Sequence, residues 1–341
     1  MHYLQYLARE IDKTHAHLGN LAAVEMLSIK AKKLLLVISP RGCGKSRVSS
    51  YIGLSVAGAS VQDRISVAGL QYLKEEFNGF QSVLVVDDIA KTQTPYARIA
   101  TITTIAELVY SHYCKSALAG TFYSIENFYG SAIINIQPVL LKEIVRSDEW
   151  EASIQDKSLR YYHLYRPQQP NPAPPKVKLQ WGIELNKVKD FDMTGKLISH
   201  LKSLLATQWG VSRVREHILD LAKACAAIDG RDKVSQSDLL LLIKLLRPLS
   251  FERLVSSKSS FESGRELNSD LLAILTEYVT YGNFTLQQLS LDYKLSTSQC
   301  YKIMSRYSSQ WVEVAKSPTT YAPGPDFKVE LKRLGLNSTG R

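Results

Sequence analysis

The stretch Leu34-Leu-Leu-Val-Ile-Ser-Pro-Arg-Gly-Cys-Gly-Lys-Ser46 joins a short, wholly apolar run to a loop carrying two glycines, a lysine and a serine. Arg47-Val-Ser-Ser-Tyr-Ile-Gly-Leu54 follows, with a composition that can be helical. An apolar run this short, bounded by turn formers, reads as a buried strand of a parallel sheet. A strand, a glycine-bearing loop and a helix start aim successive backbone N–H groups and the positive end of the helix at one point, a cradle for a polyphosphate. In the spacing GxxxxGK[ST], Gly42 and Gly44 let the backbone curl close to phosphates, Lys45 supplies a point charge and Ser46 offers a hydroxyl to Mg²⁺. Ser39 stands where that pattern has its first glycine. Ser39, Pro40, Arg41, Gly42, Cys43, Gly44, Lys45, Ser46 and Arg47 are the expected nucleotide-binding set.

Further apolar runs follow at Ser82–Val86, Ala132–Asn135 and Tyr161–Tyr165, separated by longer amphipathic stretches, the alternation of an α/β fold with crossover helices. The second run ends in Asp87 and Asp88. A carboxylate at a strand tip beside a phosphate loop can hold Mg²⁺ through water, the role expected of Asp87 together with Ser46. Asp88 is then placed to polarise an attacking water as general base, although aspartate is one methylene shorter than glutamate.

With this loop and strand end in hand, the chain resembles an AAA+ ATPase. The resemblance implies a sensor role for Asn135, at the end of the third run. It makes Arg160, just before the next apolar run, the candidate arginine finger, with Arg146 in reserve. Gly210-Val-Ser-Arg-Val-Arg-Glu-His-Ile-Leu-Asp-Leu-Ala-Lys-Ala-Cys-Ala-Ala-Ile-Asp-Gly-Arg-Asp-Lys-Val-Ser-Gln-Ser-Asp238 resembles the lid helices of the MoxR and minichromosome maintenance branch, which implies that Arg213 swings onto the nucleotide from the lid. The replacement of glutamate by Asp88 implies slow turnover or a nucleotide-gated switch as alternative outcomes.

At 341 residues the chain is long enough for two or three domains. Its composition, 45% hydrophobic and 22% charged, suits folded domains rather than disorder. Apolar runs fall short of the roughly 20 residues that cross a bilayer, and the early Arg9, Glu10 and Asp12 do not suit a secretory signal, so a cytoplasmic location is expected. Four scattered cysteines without a CxxC pair suggest neither a disulfide framework nor a zinc site. A formal charge of +10 is compatible with a nucleic-acid partner.

The expected organisation is an AAA+ α/β domain over 1–170, a Pro-rich linker over 171–192, an all-α lid over 193–250, a linker over 251–264 and a winged helix-turn-helix domain over 265–341. Residues 167–175 hold five of the 12 prolines, which marks a semi-rigid connection. In the last unit, Leu271–Tyr281 and Leu286–Leu295 read as helices. Thr297–Tyr307 then reads as the recognition helix, with alternating, strand-like runs around Trp311 and Phe327. Cys300, Ile303 and Met304 point inward, leaving Ser298, Gln299, Tyr301, Lys302 and Arg306 for DNA, with Lys316 and Lys328 flanking the wing. The order of ATPase core, lid and winged helix resembles that of archaeal origin-recognition initiators. It implies an ATP- and Mg²⁺-dependent homo-oligomer, a ring or spiral, acting on DNA in replication, transposition or a mobile element. A MoxR-like chaperone that docks a protein client is the alternative.

Overall fold

The computed structural model describes residues 1–91, 94–118, 121–166, 171, 173–206, 208–256, 267–334 and 336. Among them, strands β1 (Leu34–Ile38), β2 (Ser60–Gln62), β3 (Val83–Val86), β4 (Cys114–Leu118), β5 (Thr121–Ile125), β6 (Ser131–Ile136) and β7 (Ser158–Tyr162) fall in the first half of the chain. Five of these form a parallel sheet in the order β2-β3-β6-β1-β7. β1 lies between β6 and β7, all five of its residues buried, as expected of a strand covered on both faces.

Strand alternation divides the interior in two. Leu35, Val37, Val83, Val85, Ile133, Leu159 and Tyr161 face the helices Tyr3–Asp12, Gly19–Lys30 and Lys45–Leu54, and beyond them the helices Lys196–Leu205, Val211–Ile228 and Gln236–Leu245. Leu34, Leu36, Ile38, Leu84, Val86 and Ile134 face the helices Pro95–Ser111 and Pro138–Ile144 and join a core that continues into the C-terminal unit. A Ser235–Asp238 capping box starts the helix Gln236–Leu245. Residues 173–182, expected to be a linker, lie along the first unit: the Tyr51 hydroxyl donates to the Val177 carbonyl, and Tyr3 Oη donates to Lys178 O over 3.0 Å. Pro167, Gln168, Gln169, Pro170 and Pro172 lie outside the described residues.

Four expectations change. The antiparallel hairpin β4–β5, inserted before β6, and the short edge strand β2 carry no apolar run long enough to announce them. The linker expected over 251–264 begins with the helix Glu252–Val255, which buries both end residues, while 257–266 lie outside the described residues. The run around Phe327, expected as a strand, is the helix Pro325–Arg333, with Pro325 at its first turn and Phe327 and Leu331 one turn apart on the buried face.

The fourth change concerns Arg160. Chain pairing begins at Ser158, so Arg160 sits mid-strand in β7, level with Leu36, and its side chain turns into the core with no solvent exposure. Its guanidinium donates to both Glu252 oxygens, at 2.9 Å and 3.0 Å, and to the Gln155, Ser158 and Gln208 carbonyls. It also lies over the Trp150 ring at 5.1 Å. A side chain committed in this way cannot reach a neighbouring subunit, so the finger assignment fails. On the outer edge of β7 the Gln208 side-chain amide pairs with the backbone of Arg160 in both directions, at 2.9 Å and 2.7 Å, standing in for a missing strand. Removing the arginine strands a buried carboxylate: Arg160→Ala is expected to cost about 3–5 kcal/mol in urea unfolding, whereas an exposed arginine would cost about 0.5 kcal/mol or less.

Candidate functional site

The loop Ser39–Gly44 leaves the carboxyl end of β1, where ligands of open α/β sheets bind. Gly42 and Gly44 have φ of +72° and +86°, a region that β-carbons disfavour, and Gly44 is the N-cap of the helix Lys45–Leu54. A Cβ on Gly44 would meet Leu18 Cδ1 at 3.2 Å, so Leu18, the N-cap of the helix Gly19–Lys30, packs against the loop. Ser39 is fully buried, its N–H donating to Ile136 O over 3.0 Å, so a small residue fits where the motif has glycine. Cys43 is also buried, its thiol 3.4 Å from Ser39 Oγ, and acts as a small packing residue. Lys45 folds back over the loop, Nζ donating to Pro40 O over 3.4 Å.

Beside the first turn of this helix lies a cleft of about 620 Å³ lined by Ser46, Arg47, Ser50, Tyr51, Asp63 and Asp87 among others. Asp87 follows β3, its N–H donating to Gln62 O over 2.9 Å. One of its carboxylate oxygens accepts from Lys91 at 3.1 Å, while the other, Oδ1, is buried with no hydrogen-bond partner. The Ser46 hydroxyl and the Asp87 carboxylate, one oxygen of which has no hydrogen-bond partner, are hard oxygen ligands that fit Mg²⁺. Ser46 and Asp87 are thus brought together as expected.

Asn135 is not at the mouth. It is in register with Val37, fully buried, and its Oδ1 accepts from Ser49 over 3.4 Å while Nδ2 has no partner. Two residues on, on the same strand face, Gln137 takes the position at the carboxyl edge. Arg41 donates to Gln137 Oε1 over 2.5 Å, and Gln137 Nε2 donates to Asp88 Oδ2 over 3.1 Å, so one amide connects the loop to the tip of β3. β6 ends at Ile136, one residue beyond the apolar run that ends at Asn135, so Gln137 is the first residue past the strand.

Arg213 is at the wrong end of the sheet. It lies over the Tyr110 ring at 4.3 Å and pairs with Glu216 at 3.1 Å. Tyr110, Glu216, Lys33 and Leu34 line one cavity at the amino end of β1, a strand length of about 16 Å from the phosphate loop. The sequence places Arg213 correctly at a helix start, but the direction of that helix across the sheet turns it away. Arg146 is exposed, just past the helix Pro138–Ile144.

Two buried titratable groups near the loop went unread in the sequence. His163 continues β7, donating its N–H to Ile38 O over 2.8 Å, and burial, with Lys45 nearby, pushes its imidazole down to about 3. Glu25 is fully buried, accepts from Ser49 Oγ over 2.5 Å, and is pushed by burial up to about 8.

In the C-terminal unit, the helices Ser269–Tyr281, Leu286–Tyr293 and Thr297–Arg306 precede a hairpin of β9 (Trp311–Lys316) and β10 (Thr319–Pro323), to which the two-residue β8 (Phe284–Thr285) adds a third strand. Cys300, Ile303 and Met304 are buried and Ser298, Gln299, Tyr301 and Lys302 exposed, as the helical period required. Tyr301 Oη lies 3.4 Å from Thr319 Oγ1, at the hairpin turn. Gln299 spends its carbonyl oxygen on the Ser296 capping box, and Arg306 is paired with Asp270 at 2.9 Å. Lys316 ends β9, and Lys328 lies on the helix Pro325–Arg333 that follows the hairpin, not on a strand.

No protein-family model matches the chain, and no curated protein matches it. Among the described residues, no helix is long and apolar enough to cross a membrane.

Glu25 allows a direct check of the polar layer beneath the loop. Its folded-state value lies above the ordinary 4.5, so it is neutral at pH 7, and the stability it permits is complete below 4.5 and lost as pH rises to about 8. Glu25→Gln is therefore expected to remove a loss on the order of 3–5 kcal/mol across that interval, measured by denaturant unfolding at several pH values.

Proposed function

We propose that this protein is an AAA+ ATPase that binds ATP with Mg²⁺ and engages DNA through a C-terminal winged helix. The observation that carries this reading is that Ser46 and Asp87 line one cleft beside the helix start, while the preceding loop has two glycines at positive φ and Lys45 folds back onto it. The loop N–H groups and Lys45 bind the phosphates, and Mg²⁺ is held by Ser46 and Asp87. The ion, when bound, neutralises charge building on the phosphate oxygens. Asp88, oriented by Gln137, takes the role of general base, and Gln137 replaces Asn135 as the residue that senses the terminal phosphate from β6. Arg146 replaces Arg160 as the arginine offered to a neighbouring subunit, because it is exposed on the segment that follows β6.

DNA engagement is supported by the exposed Ser298, Tyr301 and Lys302 on the helix before the hairpin, with Lys316 at the end of β9. Assembly into a ring or spiral, with a role as initiator, loader or remodeller, follows from the family resemblance.

ATP turnover by the full chain, with and without duplex DNA, tests the first half. Stimulation by DNA and loss of turnover in Lys45→Ala support it; tight ATP binding without turnover makes the protein a nucleotide switch instead, and turnover indifferent to DNA favours the chaperone. Lys302→Ala tests the second half: duplex affinity should fall and the slope of log affinity against log salt flatten by about 0.9, the signature of one lost phosphate contact.

A further inference from the structure

A second carboxylate, Asp63, lines the cleft, and its role rests on the nucleotide reading of that cleft. β2 and β3 run parallel with Gln62 opposite Val86, and Asp87 N–H donates to Gln62 O over 2.9 Å. Asp63 therefore leaves β2 at the level where Asp87 leaves β3, on strands about 4.8 Å apart. Both residues line the cleft with Ser46. Between them reaches Lys91, on the turn Ile89–Lys91, its Nζ 3.1 Å from Asp87 Oδ2 and 3.9 Å from Asp63 Oδ1. Asp88 adds to the negative field on this ammonium, and Arg47 lines the cleft from the other side.

We infer that Asp63 is a third cation-facing residue beside Ser46 and Asp87, and that Lys91 is the counter-cation that holds the two carboxylates together until a divalent ion enters. Two like charges at the ends of neighbouring strands repel, and a cation between them relieves the repulsion. An ammonium on a flexible stem is suited to do so temporarily. Lys91 is 44% exposed, and exposed ion pairs of this kind are weak enough to be displaced. Asp63 is 85% exposed and 3.9 Å from the ammonium, so its hold on Lys91 is the weaker of the two. An ion shared with a polyphosphate then replaces the lysine, which frees the turn Ile89–Lys91 to change its contacts when nucleotide binds.

The test is a Mg²⁺ titration of fluorescent ATP-analogue binding to the full chain, read by anisotropy and referred to each variant's own affinity in EDTA. Asp63→Asn should raise the half-saturating Mg²⁺ concentration about fivefold or more, and Asp63→Glu, which keeps a carboxylate, should recover most of the loss. Lys91→Ala, with the competitor gone, should lower it about threefold. An unchanged half-saturation in Asp63→Asn, or a raised one in Lys91→Ala, overturns this inference while leaving nucleotide binding intact. Failure of the wild-type chain to bind the analogue at any Mg²⁺ concentration overturns the nucleotide reading and this inference together.

Discussion

The structure depends on the confinement of β1. Five apolar residues are hydrogen-bonded to parallel strands on both sides and covered by helices on both faces, so the chain leaves β1 at a fixed point and in a fixed direction. It must then turn within a few residues to start a helix that lies back over the sheet. Gly42 and Gly44 make that turn at positive φ, and Gly53 lets the helix approach β3 so closely that a Cβ there would meet Val85 Cγ2 at 2.5 Å. The first turn of that helix and the tips of β3 and β6 are brought to one edge as a consequence. The position of Lys45, Ser46, Asp87 and Gln137 follows from sheet geometry rather than from direct contacts among them.

The same burial sets the cost of polar groups in the interior. Arg160 is tolerated in the core because Glu252, three carbonyls and the Trp150 ring together replace its hydration. Glu25 has no such cation and is held neutral instead, with Ser49 donating to it. Arg166, just beyond β7, pairs with Asp292 at 2.5 Å and Glu277 at 3.3 Å and lies over the Tyr293 ring, tying the exit of the sheet to the C-terminal unit. Its ion pairs bridge two units that also share a continuous apolar core around Leu141, Ile144, Leu271 and Leu275.

Much of the fold was legible because its signals are local. The runs at Leu34, Ser82 and Ala132 are strands, the stretch beginning at Thr297 is the helix Thr297–Arg306, and its stripe Cys300, Ile303 and Met304 is buried. The hairpin β4–β5 carries no such local signal, because its mixture of small, polar and aromatic residues matches neither a buried strand nor an amphipathic helix. The helix at Phe327 looks like a strand in the sequence because Phe327, Val329 and Leu331 alternate, while only Phe327 and Leu331 are buried.

By itself the sequence determined the loop, its glycines, the lysine and serine that follow, and the carboxylates at the tip of β3, since each is fixed by residues within one turn or one strand. Tertiary structure alone decided the fates of Arg160, Asn135 and Arg213. The start of β7 at Ser158, three residues before Tyr161, carries Arg160 from a surface into the core, the end of β6 at Ile136 moves the mouth of the site from Asn135 to Gln137, and the direction of a helix across the sheet decides which edge its first turn meets. Asp63 and Lys91 belong to the same class. Their meeting with Asp87 depends on the parallel pairing of β2 with β3, a contact between segments more than twenty residues apart that no local pattern encodes.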